Sequence, residues 1–331
     1  MRAILENLYK QRYLTKEESK DILIHFASGA YNLSQMASFL TVFQMRNITI
    51  EEMDGFRQAM LELCIPVDFN GFNTIDLCGT GGDGKNTFNI STLASFIAAG
   101  AGAKVTKHGN YGVSSSCGSS NVLEYLGYNF SSDQEKLNRE LDQTGFCYLH
   151  APFFHPAMKN VAPVRKELGV KTFFNMLGPL VNPGNPENQL IGVFHPEVGR
   201  LYNYMYQNLD KNYTIVYSLE GYDEITLTGN TKVESSGGSQ LFTPEDFGFE
   251  RIQPELIRGG DDIPSSAKIF VDILEGNGTN AQNNVVIANA AAALETLHPE
   301  KSRQECLQLA KDALYGKKAL KVLNKLLELQ A

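Results

Sequence analysis

The stretch "DLCGTGGDGKNTFNIST", Asp76 to Thr92, decides how this 331-residue chain is read. It spells three phosphate loops at once. Gly79, Gly81 and Gly84 match the G-x-G-x-x-G of a dinucleotide fold, and Gly79, Gly84 and Lys85 match most of a G-x-x-x-x-G-K nucleotide loop. The third reading is a loop for a magnesium-bound phosphorylated sugar.

A dinucleotide fold places an acid roughly twenty residues beyond the glycines to hold the ribose hydroxyls. Here that place is the strand-like "KVTKHG", which offers Lys104 and Lys107 instead. A nucleotide loop needs Ser or Thr directly after its lysine, to ligate Mg²⁺. This chain has Asn86 there, with Thr87 one place late and the carboxylate of Asp83 where phosphates would lie. Residues 84–123 contain no acid in a chain carrying 37, yet hold Lys85, Lys104, Lys107 and His108 among many Gly, Ser, Thr and Asn. Glycine turns, helix N-termini, hydroxyls and lysines are what a polyanion needs. Asp83 then requires a sugar hydroxyl, an amine or a metal as partner. Ser91 and the pair Asp223–Glu224 in "GYDEITL" supply oxygen ligands for Mg²⁺. Alone, such a pair is a solvated turn.

Working outward, the composition is that of a globular chain with an ample core: 43% apolar, 20% charged. A net charge of −8 argues against general nucleic-acid binding, which favours a basic domain. Five cysteines, scattered and without a C-x-x-C, are read as buried and reduced. The N-terminal "MRAILENLYKQRYLTKEE" meets charge too early for a signal-peptide core, and no run approaches the ~20 apolar residues of a membrane helix. A cytoplasmic protein that binds no membrane is expected.

Residues 1–66 read as helices only. Thr15 with Glu18 and Thr49 with Glu52 form capping boxes, and Leu33, Met36, Ala37 and Leu40 recur at helical spacing. From residue 73 the rhythm becomes strand–loop–helix. "NTIDLC", "KVTKHG", "NQLIGVF" and "YTIVYSLEG" read as strands, and "NISTLASFIAAGAG", "SSNVLEYLG" and "HPEVGRLYNYMYQNL" as helices. "EITLTGNTKVESSGGSQLFT" reads as a strand pair, and residues 265–330 as helical. The expected class is α/β: a small all-helical N-terminal domain plus a large α/β domain with a mainly parallel central sheet flanked by helices. Ligands then bind beyond the carboxyl ends of the strands.

"GTGGD" (79–83), "NIST" (89–92), "KHGN" (107–110), "GSS" (118–120), "HPAMKNVAPVRKELGVKTFFNMLGPLVNP" (155–183) and "YDE" (222–224) together resemble the anthranilate phosphoribosyltransferase family. The resemblance covers nearly the whole chain, and the long segment bearing Arg165 is its most specific part. It implies a helical domain of residues 1–66 with an inserted helical segment near 165–185, hinged to an α/β domain over 73–331. It also implies a homodimer through the helical domain, and Mg²⁺ as cofactor. For phosphoribosyl pyrophosphate it implies Gly79, Gly82, Asp83, Thr87, Asn89, Ile90, Ser91, Thr92, Lys107, His108, Gly109, Asn110, Ser115 and Ser119. For anthranilate it implies Gly79, Asn110 and Arg165, and for the metal Ser91, Asp223 and Glu224. Two places depart from the common pattern: Tyr111 stands where the family has Arg, and "CGSSN", with Cys117 and Asn121, where it has "SGSAD". One positive and one negative charge are absent together, a compensated change.

The implied reaction is displacement of pyrophosphate from ribose C1 by the amine of anthranilate. It needs neutralisation of the leaving group, for which Mg²⁺, Lys107 and N–H groups are suited, and a carboxylate such as Asp83 near a cation-like ribose. An aromatic amine is already neutral at pH 7, so no strong base is required. His108, His150 and His155 are the acid–base candidates, with positioning the commoner role for a histidine beside a glycine turn. Arg165 suits a benzoate carboxylate, as a planar fork. Two other classes compete: a pyrimidine nucleoside phosphorylase, which would need a pyrimidine pocket instead of Asn110 and Arg165, and a non-catalytic nucleic-acid-binding relative, which should be basic and lack these acids.

Overall fold

The computed structural model describes residues 1–69, 71–112 and 117–330. Four helices come first: α1 (Arg2–Leu8), α2 (Lys16–Ala27), α3 (Leu33–Met45) and α4 (Ile50–Leu63). Both expected capping boxes form, Thr15 with Glu18 and Thr49 with Glu52, and Asn32 with Gln35 adds a third on α3. Glu52 does more than cap. It is fully buried, accepts two guanidinium bonds from Arg46 at 2.9 and 2.5 Å, and receives the Leu14 N–H at 3.0 Å. One carboxylate thus ties three turns of the bundle together.

The chain continues with β1 (Thr74–Gly79), α5 (Ile90–Gly100), β2 (Lys104–Gly109), α6 (Ser119–Tyr125), α7 (Gln134–Thr144), β3 (Phe146–His150) and α8 (Ala151–Phe154). Then come α9 (Ala162–Leu168), α10 (Phe174–Leu177), β4 (Asn188–Gly192), α11 (Pro196–Tyr206), β5 (Asn212–Ser218), β6 (Thr231–Ser235) and β7 (Gly238–Phe242). The tail holds α12 (Ile263–Leu274), α13 (Asn280–Leu297), α14 (Arg303–Tyr315) and α15 (Lys318–Glu328). Among the described residues seven strands form one sheet in the order β3-β2-β1-β4-β5-β6-β7. The pairings from β3 through β5 are parallel and the last two are antiparallel. The order reverses at β1, between β2 and β4, where an open α/β sheet leaves a crevice.

β3, "FCYLH", was not expected as a strand: all five residues are buried, so it lacks the alternation that marks a half-exposed strand. Residues 224–229 were expected in the hairpin, but only β6 and β7 pair. The Ile225 N–H and C=O are taken by the Asn289 side chain of α13, at 3.1 and 2.8 Å, which holds the segment out of the sheet. The five cysteines are free, three of them buried. No described helix is long and apolar enough to cross a membrane.

One core lies between the sheet and α5, α12, α13, α14 and α15. A second joins α2, α3 and α4 to residues 161–181 and to one face of β4, β5 and α11. That second core carries a later segment of the chain to the edge of the crevice.

Candidate active site

β1 delivers Gly79 to the crevice, and Gly81, Gly82 and Gly84 follow with φ of +62°, +77° and +74°, the left-handed region that glycine enters without strain. α5 then starts at Ile90, so the loop ends on a helix N-terminus, a place that favours anions. Asn89 does not cap this helix. Its Nδ2 donates to the Cys117 carbonyl at 3.0 Å and clips the loop after β2 to the glycine loop.

The acidic pair arrives from beyond β5. The Gly81 N–H donates to Asp223 Oδ2 at 2.8 Å, and Ser91 N–H and Thr87 Oγ1 donate to Glu224 Oε1 and Oε2 at 3.2 and 3.4 Å. A Cβ on Gly79 would strike the Asp223 carboxylate, and one on Gly192 the Asp223 carbonyl, so close approach of this segment to β1 and β4 requires glycine twice. Burial, and then Asp223, raise Asp83 to about 6. Burial also raises Asp223, and burial with Asp223 and Asp83 lifts Glu224 well above the usual carboxylate range. Three carboxylates repelling one another beside a glycine loop suit a hard divalent cation with oxygen ligands. Among the described residues no three His, Cys, Asp or Glu side chains converge as a complete metal cage. The set therefore fits Mg²⁺, which keeps waters and phosphate oxygens beside one or two carboxylates, better than an ion bound by protein alone.

β2 supplies Lys107 and His108, both buried. Lys107 Nζ donates to the Leu77 carbonyl of β1. His108 Nδ1–H donates to the Gly178 carbonyl at 3.1 Å, which leaves Nε2 as a lone pair without a partner among the described residues. Burial, and then His155 at 5.3 Å between ring centroids, push His108 down to about 3, so the ring is neutral. The tautomer and burial fit a rigid wall better than a proton carrier. Asp76 organises this corner: Oδ1 accepts the His108 N–H at 3.1 Å and Oδ2 accepts Asn182 Nδ2 at 2.9 Å.

The opposite wall is built from α9 and α10. Arg165 is half-buried, its guanidinium 5.3 Å from the Phe174 ring centroid and 3.5 Å from Asn175 Oδ1. No acid pairs with it among the described residues, and Glu167 is not its partner. Phe174 stacks on Phe173, which stacks on Phe56 of α4 at 4.3 Å and 13°. The helical bundle therefore sets this wall.

A cavity of about 340 Å³ lies between the walls. It gathers Gly79, Gly82, Asp83, Thr87, Asn89, Ser91 and Thr92 from the first wall and Lys107, His108, Gly109, Asn110 and Ser119 from β2 and its loop. Arg165, Asp223 and Glu224 line it too. Ile90 does not: its side chain is fully buried in the sheet core, so only its backbone is available. Ser115 lies outside the described residues. Sequence reasoning passed over Phe174, Asn175 and Lys171, all of which line the cavity.

The two departures are accounted for locally. Asn121 Oδ1 accepts the N–H groups of Gly112 and Gly118, each at 3.0 Å, as an aspartate would without the charge. Tyr111 donates its hydroxyl to Glu124 at 3.1 Å and sets its ring edge-on to His150.

The fold is that of a two-domain glycosyl transferase. The helical bundle domain of the glycosyl transferase family matches residues 2–64, and the a/b domain of that family matches residues 71–320. A protein of Flavobacterium johnsoniae named anthranilate phosphoribosyltransferase is 59% identical over 329 residues, covering 99% of both chains. The crystal structure of the anthranilate phosphoribosyltransferase from Thermus thermophilus superimposes with a TM-score of 0.92 at 32% identity, covering 98% of each chain. That of Saccharomyces cerevisiae, in complex with phosphoribosyl pyrophosphate and Mg, gives 0.91 at 26% identity over 98% of this chain and 96% of the other. The chain belongs to the anthranilate phosphoribosyltransferases.

Proposed function

We propose that the chain transfers the 5-phosphoribosyl group of phosphoribosyl pyrophosphate to the amine of anthranilate, giving N-(5-phosphoribosyl)anthranilate and pyrophosphate, a step of tryptophan biosynthesis. One observation carries the reading. A single cavity joins a glycine loop and helix N-terminus, with three carboxylates suited to a divalent cation, to a half-buried guanidinium that has no carboxylate of its own. A phosphoribosyl donor fits the first wall and a benzoate acceptor the second.

In this reading Gly79, Gly82, Asn89, Thr92, Ser119 and the backbone amides at Ile90, Gly109 and Asn110 hold the donor, with Thr87, Ser91 and Lys107 beside them. Arg165 forks onto the anthranilate carboxylate, with Asn110 and Gly79 closing that end. The guanidinium is oriented by Phe174 and Asn175, so it loses little freedom on binding. Asp83 faces the ribose, where a carboxylate favours the positive charge that develops as the C1–O bond breaks. His108 lines the donor site as a neutral ring and moves no proton. Ser91, Asp223 and Glu224 would hold Mg²⁺, which when bound offsets the charge of the pyrophosphate.

Residues 1–66 with the segment near 165–185 form the helical domain of this reading, and residues 73–331 the donor-binding domain. Large apolar side chains left exposed on the helical region, Tyr9, Tyr13 and Met45, support a homodimer through that domain. A biosynthetic role with these substrates places the enzyme in the cytoplasm, with no nucleic acid or membrane as partner.

The test supplies the protein with anthranilate and phosphoribosyl pyrophosphate, with and without Mg²⁺, beside thymidine plus phosphate. Magnesium-dependent consumption of anthranilate with matching release of pyrophosphate is expected. Turnover of thymidine and phosphate instead would replace this reading by a nucleoside phosphorylase.

A further inference from the structure

Lys171 stands in the turn between α9 and α10, on the wall that carries Arg165, and its ammonium crosses the cavity to donate to the Gly82 carbonyl of the glycine loop. Its Cε and Cδ lie over the same glycine, where an added Cβ would meet them at 3.3 and 3.7 Å. The ammonium also stands 5.0 Å from the centroid of the Phe194 ring, just past β4. One backbone carbonyl and one ring contact add little to folding for a long, exposed side chain, because ordering the side chain offsets most of such a gain. The contact is better explained by what else binds there.

The other cations lining the cavity are held on their own side of it. Lys107 donates to Leu77, Lys85 lies over the Tyr222 ring at 4.7 Å, and Arg165 is held by Phe174 and Asn175. Lys171 alone of these four reaches the glycine loop from the opposite wall, beside Asp83 and with donors to spare. The turn that carries it is the one that orients Arg165. Gly169 ends α9 at φ +65° with its N–H on the Arg165 carbonyl, and Asn175 Oδ1 accepts the Thr172 N–H at 3.0 Å while facing the guanidinium.

We infer that Lys171 is a pyrophosphate-binding residue that reaches across from the acceptor wall, its ammonium passing from the Gly82 carbonyl to the pyrophosphate held on the glycine loop. One turn then carries the acceptor's guanidinium and a leaving-group cation. The inference rests on the transferase reading for the identity of its ligand.

Calorimetric titration with magnesium pyrophosphate tests it on wild type, Lys171→Met, Lys171→Arg and Lys166→Met. The last removes the same charge from α9 at a position that does not line the cavity. Lys171→Met is expected to weaken pyrophosphate binding about tenfold, the scale of one charge-assisted hydrogen bond. Lys171→Arg recovers at least half of that loss, Lys166→Met stays within twofold of wild type, and anthranilate affinity and melting temperature hold in all three. Pyrophosphate affinity within twofold of wild type in Lys171→Met overturns the inference, as does an equal loss in Lys166→Met or a loss that tracks a falling melting temperature. If wild type forms no product yet Lys171→Met still weakens pyrophosphate binding selectively, the transferase reading fails and the pyrophosphate contact stands. If product forms and Lys171→Met binds pyrophosphate normally, only this inference fails.

Discussion

The two walls of the cavity are made in different ways. The phosphate wall is founded on one contiguous run, Asp76 to Thr92, in which a strand, three left-handed glycines and a helix start follow one another along the chain, and Lys107, Asp223 and Glu224 are added to it from elsewhere. The acceptor wall is two helices of seven and four residues, far below the length at which a helix is stable by itself. It is held by aromatic contacts with a bundle whose helices lie more than a hundred residues earlier: Phe173 on Phe56, with Phe39 and Phe43 edge-on. The base of the first wall is encoded by its own backbone, the second wall by packing against helices distant in sequence. Damage to the bundle should therefore reach the acceptor and spare the donor.

The largest effect is expected from Phe173→Ala, which removes the stacked ring between bundle and wall. A buried Phe→Ala change costs about 3–5 kcal/mol. Chemical denaturation should show that loss, and the surviving activity should show a raised KM for anthranilate with little change for phosphoribosyl pyrophosphate. Equal changes in both constants would mean that the walls are not built separately.

On the other wall, Asp223→Asn with Glu224→Gln should lower kcat on the order of 100- to 1000-fold, the scale of lost electrostatic stabilisation of a transition state. The Mg²⁺ requirement should rise. Burial raises both groups, Glu224 further because of Asp223 and Asp83, so neutral replacements relieve strain and the melting temperature should not fall. An unchanged Mg²⁺ titration would take these residues out of the metal site.

Arg165→Gln sharpens the contrast from the acceptor side. Loss of a charge-assisted pair worth about 1.5–3 kcal/mol predicts about a 10- to 150-fold fall in kcat/KM for anthranilate, and none in the KM for phosphoribosyl pyrophosphate. Arg165→Lys should recover only part, because the planar fork is gone. An anthranilate KM within twofold of wild type, measured with each substrate varied in turn, would remove Arg165 from the acceptor site.

At the seam between the walls, burial and then His155 hold His108 near 3, and burial holds His155 near 4, against an ordinary 6.5. The unfolded chain therefore takes up protons that the fold refuses. This stability is complete above pH 6.5 and is lost as pH falls toward 4, by about 1.4 kcal/mol per group for each pH unit. Asp76, raised to about 6 by burial, works in the opposite sense but is common to both proteins compared. Urea titrations should show a flatter decline between pH 6.5 and 4.5 for His108→Gln/His155→Gln than for wild type. Parallel curves would mean that the rings are not held neutral.

The smallest effect is expected at Tyr111. Tyr111→Arg restores a cation beside Glu124, and Asn121 already keeps the loop geometry, so affinity for phosphoribosyl pyrophosphate should change less than tenfold. A larger loss in steady-state kinetics would show that the missing charges do not compensate.

How legible each part was follows from the same division. The capping boxes at Thr15 and Thr49, the strand "KVTKHG" and the glycine loop could be read because their signals lie within a few residues. β3 could not, because a strand buried on both faces has no period to detect. The segment after Asp223 was misjudged because Asn289, sixty-four residues on, competes for its backbone. Ile90 fell inside a site motif, yet its side chain turns to the core. Lys171 had no sequence-level reason to stand over Gly82.

By itself the sequence determined the fold class, the glycine loop with the acid-free run of residues 84–123 and the family, since each rests on residue types in local order: glycines where φ is positive, lysines where carboxylates are missing, capping residues where helices begin. Only the tertiary structure decided that Asp223 and Glu224 meet Gly81, Thr87 and Ser91, and that a stack of phenyl rings carries Arg165 and Lys171 to the opposite wall. Local order is set by backbone sterics and hydrogen bonds within a few residues. Contacts between distant segments form only when burial of the two cores outweighs the loop entropy that separates them.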